Sequence, residues 1–363
     1  MKLPFKVKKS ILACGADLKG AFALAKGNDI FLYEGFGDLG DLDNFERYEK
    51  AVKKAIKTTG IKPAVVTHDM HPGYFSTRFA ESYNLSTHRY PLCAVQHHEA
   101  HVASCIIDNS IKGDVIGVAF DGTGYGTDGN IWGGEFFIGG LKGFKRVAHL
   151  EYVAMPGADA CVREPWRMAA SYIYASVGKC EDPVIKKMID RKINSPLTSS
   201  AGRLFDAAAS LVLGRKKSDF EAELPIALEK IAAKDYEEAY RYTIKISPSS
   251  FQGSPISIGT AIIIKSVMDD IQKGVDTAVI SARFHNTIAR IIAATADFLG
   301  KKNGVKKVVL SGGVFQNKYL ADKAIKYIEK FGLKVYKHER FSATDSGIPL
   351  GQIAITQMRY LCA

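Results

Sequence analysis

His97 and His101 stand four residues apart in Val95-Gln96-His97-His98-Glu99-Ala100-His101, where an apolar run from Leu92 to Val95 gives way to helical periodicity. At that spacing both imidazoles project from one face at the start of a helix, which is the geometry of a two-point metal clamp. A second apolar run, Val115 to Phe120, ends in Asp121-Gly122-Thr123-Gly124-Tyr125-Gly126. Backbone that carries no side chains lets N–H groups approach a phosphate, and a carboxylate beside such a cradle suggests a metal bridging protein and nucleotide. Two imidazoles with carboxylates suit iron or zinc, between which ligand type does not choose. The same residues allow a purely structural account, in which His97 caps the helix, His101 packs on its apolar face and Asp121 closes a hairpin whose glycines serve the turn. His98 points off the shared face, where it can support the ligands, face a substrate or lie on the surface.

A second glycine turn, Gly312 and Gly313, follows the apolar strand ending at Leu310 and opens a helix. Its N–H groups and the positive end of that helix would favour a phosphate. With Gly122, Thr123 and Gly124 facing it across a cleft, the two turns would hold a nucleotide, and Asn317 could then hydrogen-bond its ribose or base.

The elements that must position these residues read as follows. Three strands open the chain, Ile11 to Leu18, Ala21 to Lys26 and Ile30 to Gly35, with Gly27-Asn28 as the turn between the last two. A helix from Leu42 to Thr59 follows, then a strand at Ala64 to His68, a helix near Tyr74 to Tyr83 and strands around His88 and Cys93. The opening pattern recurs about a hundred residues later at Val115 to Asp121, Trp132 to Gly139 and Phe144 to Tyr152, with Asp17 and Asp121 at comparable strand ends. Such duplication implies two like α/β domains closing on a cleft, residues 1–112 and 113–363, the second carrying a helical insertion over about 156–275. Helices are expected at Pro165 to Val177, Ala201 to Leu213, Ala222 to Tyr240, Thr277 to Leu299, Asn317 to Phe331 and from Pro349, and Ile246 to Pro255 reads as a loop. Strands at Val305 to Leu310 and Lys334 to Lys337 alternate with the last helices, which implies parallel pairing.

Composition narrows the class. With 363 residues and 47% hydrophobic content, the chain can build two cores. Its apolar runs, such as Ala261 to Ile264, fall far short of the ~20 residues that span a bilayer, and no signal-peptide pattern follows the basic start, so a soluble cytoplasmic protein is expected. The six cysteines lack a Cys-x2-Cys pair and sit in no nucleophile motif, against a disulfide scaffold, a structural zinc site or a catalytic thiol. The net charge of +11 comes from dispersed lysines, which reads as a solvated surface and makes nucleic acid an unlikely partner.

Read together and in order, Gln96-His97-His98-Glu99-Ala100-His101, Asp121-Gly-Thr-Gly-Tyr-Gly, Trp132-Gly-Gly-Glu135, Glu164-Pro-Trp-Arg167, Ser199-Ser-Ala-Gly-Arg-Leu-Phe-Asp206 and Ser311-Gly-Gly-Val-Phe-Gln-Asn317 resemble the carboxy-terminal carbamoyltransferase region of HypF, the nickel-iron hydrogenase maturation family. The resemblance covers about residue 10 to about residue 355. It implies two duplicated ribonuclease-H-like domains of the actin-like ATPase class with a nucleotide cleft between them. It implies that His97, His101, Asp121 and Asp345 ligate a divalent metal, that Gly157 to Arg167 with Gly202, Arg203 and Asp206 line an acyl-group and adenosine pocket, and that His98, Arg167 and Arg203 act on the substrate beside Asp159. The family pattern Asn-Asp-Gly-Gly has become Thr344-Asp345-Ser346-Gly347, and Pro-Gly-Gly-Asp has become Pro156-Gly157-Ala158-Asp159.

The activity so implied is carbamoyl transfer from carbamoyl-adenylate to the carboxy-terminal cysteine of a HypE-like acceptor, with ATP or AMP as nucleotide and magnesium as a further candidate ion. Full HypF proteins carry acylphosphatase-like, zinc-finger and YrdC-like regions upstream, so a separate YrdC-like adenylate-forming protein is an expected partner. Rival readings are an O-carbamoyltransferase on a small hydroxyl compound, the tRNA threonylcarbamoyl transferase, and a non-catalytic nucleotide-binding scaffold.

Overall fold

A computed structural model describes residues 2–87, 91–246 and 256–361. The chain runs β1 (Lys2–Ala13), β2 (Phe22–Tyr33), α1 (Leu42–Thr59), β3 (Val65–Asp69), α2 (Phe75–Thr87), β4 (Leu92–Val95) and α3 (His97–Asp108). It continues through β5 (Val115–Tyr125), β6 (Ile131–Gly140), β7 (Gly143–Leu150), β8 (Val153–Ala154), α4 (Ala160–Arg163), α5 (Trp166–Val177), α6 (Pro183–Asp190), β9 (Leu197–Thr198), α7 (Ala201–Leu213) and α8 (Glu223–Ile231). The last part is β10 (Thr243–Ile246), β11 (Ile256–Gly259), α9 (Ala261–Gln272), α10 (Thr277–Asn303), β12 (Lys307–Ser311), α11 (Lys318–Glu329), β13 (Lys334–Tyr336) and α12 (Ile348–Ile355).

Two α/β sheets share one plan. The first has the order β2-β1-β3-β4, and the second contains β7-β6-β5-β12-β13 with β11 and β10 added beyond β7. In each, an antiparallel hairpin (β1 with β2, β5 with β6) is extended by parallel strands (β3 and β4, β12 and β13). Helix α3 connects them and is buried along almost its whole length, packed against β5 and β12 on one side and α12 on the other. Although α12 is last in the chain, its Leu350, Ile353 and Ala354 enter the apolar core of the first sheet with Ile11, Ala23 and Val65. Among the described residues no helix is long and apolar enough to cross a membrane, and Cys14, Cys93, Cys105, Cys161 and Cys180 are free thiols.

Several expectations need correction. The chain opens with two strands, not three, because Gly27 (φ +60°) pairs opposite Val7 as an irregularity inside β2 and does not turn the chain. Asp17 does not copy Asp121; its carboxylate accepts hydrogen bonds from the N–H groups of Phe75 and Ser76 at the start of α2. The helix expected over Ala222 to Tyr240 stops at Ile231, since α10 captures the backbone that follows. Asn286 donates to the carbonyls of Tyr236 and Glu238, and Thr287 accepts from Tyr240 N. The strand expected around His88 and most of the Ile246 to Pro255 loop lie outside the described residues.

Candidate metal and nucleotide site

Helix α3 begins at the end of β4, and Gln96 caps it by accepting from Glu99 N at 2.9 Å. The same side chain donates to the Tyr125 carbonyl at 3.0 Å, which ties the first turn of α3 to β5. His97 and His101 then face one point. Asp121 reaches it from β5, where the pairing with β6 slips between Phe120 and Gly124, so Gly122 and Thr123 form a bulge within a longer strand and not the expected turn. Asp345 arrives in a single 3-10 turn ahead of α12.

The structure brings the four side chains together. His97 Nε2 lies 3.4 Å from Asp121 Oδ2 and 3.8 Å from Asp345 Oδ1. His101 Nε2 lies 3.5 and 3.4 Å from the same atoms. One donor atom from each of the four falls within 4.8 Å of the others. Donors held about 2.0–2.2 Å from a common ion sit roughly 3–3.5 Å from one another, a range that three of these four distances fit and the 3.8 Å one slightly exceeds. A further observation supports that fit: His97 Nε2 and His101 Nε2 are buried without an aligned hydrogen-bond partner, which a folded protein rarely tolerates unless something else fills the place.

The electrostatics agree. Burial alone would lower the His97 imidazole, yet the carboxylates of Asp69, Asp345 and Asp121 outweigh it and raise it well above the usual histidine range. Burial alone would raise Asp121, yet the imidazoles of His101 and His97 hold it well below the usual carboxylate range. A buried pair of carboxylates demands positive charge at its centre, from protons or from a cation.

The residue that orients His97 is Asp69, at the end of β3. Its Oδ2 lies 2.7 Å from His97 Nδ1 with both side chains fully buried, and its Oδ1 accepts from His71 N at 2.9 Å. A carboxylate only accepts, so Nδ1 carries a proton, and Nε2 is the nitrogen that would turn a lone pair to a cation at the centre. Sequence reasoning missed this residue. It lies in His68-Asp69-Met70-His71, a stretch that resembles a family motif but for which the sequence suggests a structural or surface role, its histidines falling outside the clamp.

Beside the metal point is a cavity of about 550 Å³ lined by Gly122, Thr123, Gly202, Arg203, Asp206, Gly313 and Asn317, with Asp121 and Asp345 at its edge. Ser200 caps α7 and accepts from Arg203 N at 3.1 Å, while Gly202 lets the helix approach Gly122, whose Cα would be 2.8 Å from an added Cβ. Buried Arg203 and Asp206 pair at 2.8 Å, and burial raises Asp206 to about 6 despite the guanidinium. Asn317 caps α11, accepting from Leu320 N at 2.8 Å, and its amide meets His285 Nε2 at 2.9 Å. His285 is thus a core histidine, pushed down to about 4 by burial.

Other candidates stand elsewhere. Arg167 is engaged with Glu164 and does not line the cavity. Asp159 is exposed ahead of the short α4 and does not line it either. Gly124 packs against the rings of His97 and His98, and Gly312 (φ +104°) lets β12 pass close to the Phe120 carbonyl; neither lines the cavity. Gly313 N is committed to Asp121 Oδ1 at 2.8 Å, which orients the carboxylate. His98 is buried beside Trp132, and burial reinforced by His97 keeps it well below the usual histidine range. Its Nδ1 lies 3.3 Å from the Gln96 amide and its Nε2 has no aligned partner.

Fold and site thus define a two-unit α/β protein with a buried two-histidine, two-aspartate centre on the edge of a cavity. Residues 117–352 match the family described as the carbamoyltransferase, Kae1-like domain, second subdomain, and residues 6–108 match the HypF Kae1-like domain. The chain belongs to the HypF carbamoyltransferase family. Carbamoyltransferase HypF2 of Cupriavidus necator is 32% identical over 378 residues, covering 96% of this chain and 47% of its own. The carbamoyltransferase HypF homolog of the same organism is 33% identical over 364 residues, covering 94% and 90%. The crystal structure of full-length HypF in the phosphate- and nucleotide-bound form superposes with a TM-score of 0.92 at 38% identity, over 98% of this chain and 47% of that one. The chain therefore spans about half the length of HypF2 and of that full-length HypF.

Proposed function

We propose that this chain transfers a carbamoyl group from carbamoyl-adenylate to the carboxy-terminal cysteine of a HypE-like acceptor protein. The observation that carries the reading is the pair of buried imidazole nitrogens facing two carboxylates on the edge of a cavity large enough for a nucleotide. His97, His101, Asp121 and Asp345 would hold a divalent ion, iron or zinc by donor type. Such an ion polarises a carbonyl oxygen and offsets the charge of a leaving phosphate.

The chain's own groups do the rest. Arg203, buried at the cavity wall beside Asp206, presents guanidinium donors to the acyl oxygen. The bulge at Gly122 and Thr123 leaves room for the phosphate, and the walls would hold the mixed anhydride in place for attack. The acceptor thiolate attacks the carbamoyl carbon, the bond from that carbon to the phosphate oxygen breaks, and AMP departs with the electron pair. No nucleophile from this chain is required, in keeping with thiols that burial makes harder to ionise, such as Cys14 at about 12 and Cys161 at about 12. On this reading the reaction lies between a unit of residues 1–112 and one of residues 113–363, and the packing of α12 on the first sheet supports a tie between them.

The test is to supply carbamoyl-adenylate with a purified HypE-like acceptor and weigh the acceptor. A gain of one carbamoyl group that a His97→Ala, His101→Ala variant fails to produce supports the transfer. No gain from a protein that still binds AMP would leave the scaffold reading.

A further inference from the structure

Two opposite charges meet across the mouth of the cavity. Lys19, on the connection from β1 to β2, places Nζ 3.7 Å from Oε2 of Glu221, in the segment before α8, and both residues line the cavity. Their backbone surroundings are unusual. Lys19 has φ +52° and Ala222, next to Glu221, has φ +61°, left-handed conformations that side-chain-bearing residues adopt only where the surrounding fold holds them. A Cβ added to Gly122 would lie 3.5 Å from Glu221 Oε1. The Glu221 carboxylate therefore stands over the bulge in β5 where the phosphate is expected.

Charge makes that position informative. The cavity lining includes the carboxylates of Asp121, Asp206, Glu221, Glu229 and Asp345, and the only cations among the described lining residues are Lys19 and Arg203. Arg203 is engaged with Asp206 at 2.8 Å. Lys19 is therefore the mobile positive charge. Its contact with Glu221 is beyond hydrogen-bond reach, and with the two side chains 47% and 44% exposed it is screened by water and easily exchanged.

We propose that Lys19 is the cation that takes the phosphate of the bound nucleotide, and that Glu221, which stands over the bulge at Gly122, yields when the anion arrives. This rests on the nucleotide reading of the cavity. An entering phosphate meets like charge at Glu221, and the conflict is removed when that exposed carboxylate swings into solvent as Lys19 passes to the phosphate. The phosphate offers the ammonium several strong acceptors, so the exchange favours the bound state.

The experiment is calorimetric titration of AMP and of adenosine into the metal-loaded full chain, as wild type, Lys19→Gln and Glu221→Gln. Lys19→Gln should weaken AMP about tenfold, the loss of one charge-assisted bond, and leave adenosine within about twofold; the adenosine titration also reports that the cavity is folded. Glu221→Gln should tighten AMP a few-fold and leave adenosine unchanged. AMP affinity should fall less steeply with added salt in Lys19→Gln than in wild type. If Lys19→Gln weakens AMP and adenosine alike, or neither, or if Glu221→Gln weakens AMP, this assignment is overturned while the nucleotide reading stands. If wild type binds neither ligand, the nucleotide reading is overturned and the assignment with it.

Discussion

Replacing Asp69 by asparagine tests the architecture of the metal centre through a residue that does not itself touch the ion. The side chains are isosteric, so packing around Asp69, which is fully buried, is kept. What changes is the pattern of donors. The carboxylate accepts at 2.7 Å from His97 Nδ1 and at 2.9 Å from His71 N. An asparagine has one acceptor for these two donors. If its oxygen stays with His71, its amide faces His97 Nδ1, and the imidazole must move its proton to Nε2, the atom that points at Asp121 and Asp345. A protonated Nε2 cannot ligate. Loss of such a support costs ten- to a hundredfold in metal affinity, or ~1.4–2.8 kcal/mol. The assay is competition against a chromophoric chelator, giving Kd for zinc in wild type and Asp69→Asn, with thermal unfolding of the ion-free proteins as a control for folding. A Kd within twofold of wild type in a variant of unchanged stability would refute the view that Asp69 sets the His97 tautomer.

Three further outcomes are expected. Gly124→Ala puts a Cβ 2.4 Å from His98 Cε1 and 2.8 Å from His97 Cδ2; neither buried ring has room to retreat, so unfolding measurements should register a loss of about 1–3 kcal/mol, with reduced metal content by elemental analysis. Asp108→Ala removes the anchor at the end of α3 that accepts from Glu339 N at 2.7 Å, Arg340 N at 3.1 Å and Arg340 Nε at 3.0 Å; stability should drop by about 1–3 kcal/mol and metal affinity should fall as well, because this anchor holds the segment that leads to Asp345. The third concerns acid. His285, wholly buried, titrates at about 4 when folded against 6.5 unfolded. Between those values the unfolded chain binds the proton first, so its contribution is fully present above pH 6.5 and is lost as pH falls through 4, by up to ~3 kcal/mol. Unfolding free energies measured from pH 7 to 4 should fall less steeply in His285→Gln than in wild type, and parallel curves would count against the burial argument.

How far the fold could be read from the chain depended on whether the deciding contact was local. Helix α1 follows from amphipathic spacing between Asp41, which caps its first N–H groups, and Gly60 in the left-handed conformation. Helix α7 follows likewise from Ser200 and Gly214. Gly27-Asn28 carried the same local chemistry whether it turns the chain or interrupts a strand, and only the partner strand, with Val7 opposite Gly27, decided between them. The apolar spacing from Ala222 to Tyr240 was compatible with one helix, and the competing claims of Asn286 and Thr287 came from about fifty residues away.

The site divides along the same line, and the division explains where further functional residues sit. The i, i+4 pair His97 and His101 is legible because one helix sets its geometry, and Glu164 with Arg167 is an i, i+3 ion pair for the same reason. Asp69 is 28 residues from His97 and Asp121 is 192 from Gly313; in each case a spacing in sequence says nothing of a 2.7–2.8 Å contact. These long-range contacts do not ligate. They orient the candidate ligands, by using up hydrogen-bonding capacity in the one direction that leaves the atom facing the centre free. Gly313 N on Asp121 Oδ1 leaves Oδ2 for the centre, as Asp69 on His97 Nδ1 leaves Nε2. A glycine expected to be a phosphate donor is thus spent on aiming a carboxylate, and on the proposed assignment the phosphate falls to a side chain, Lys19 at the cavity mouth.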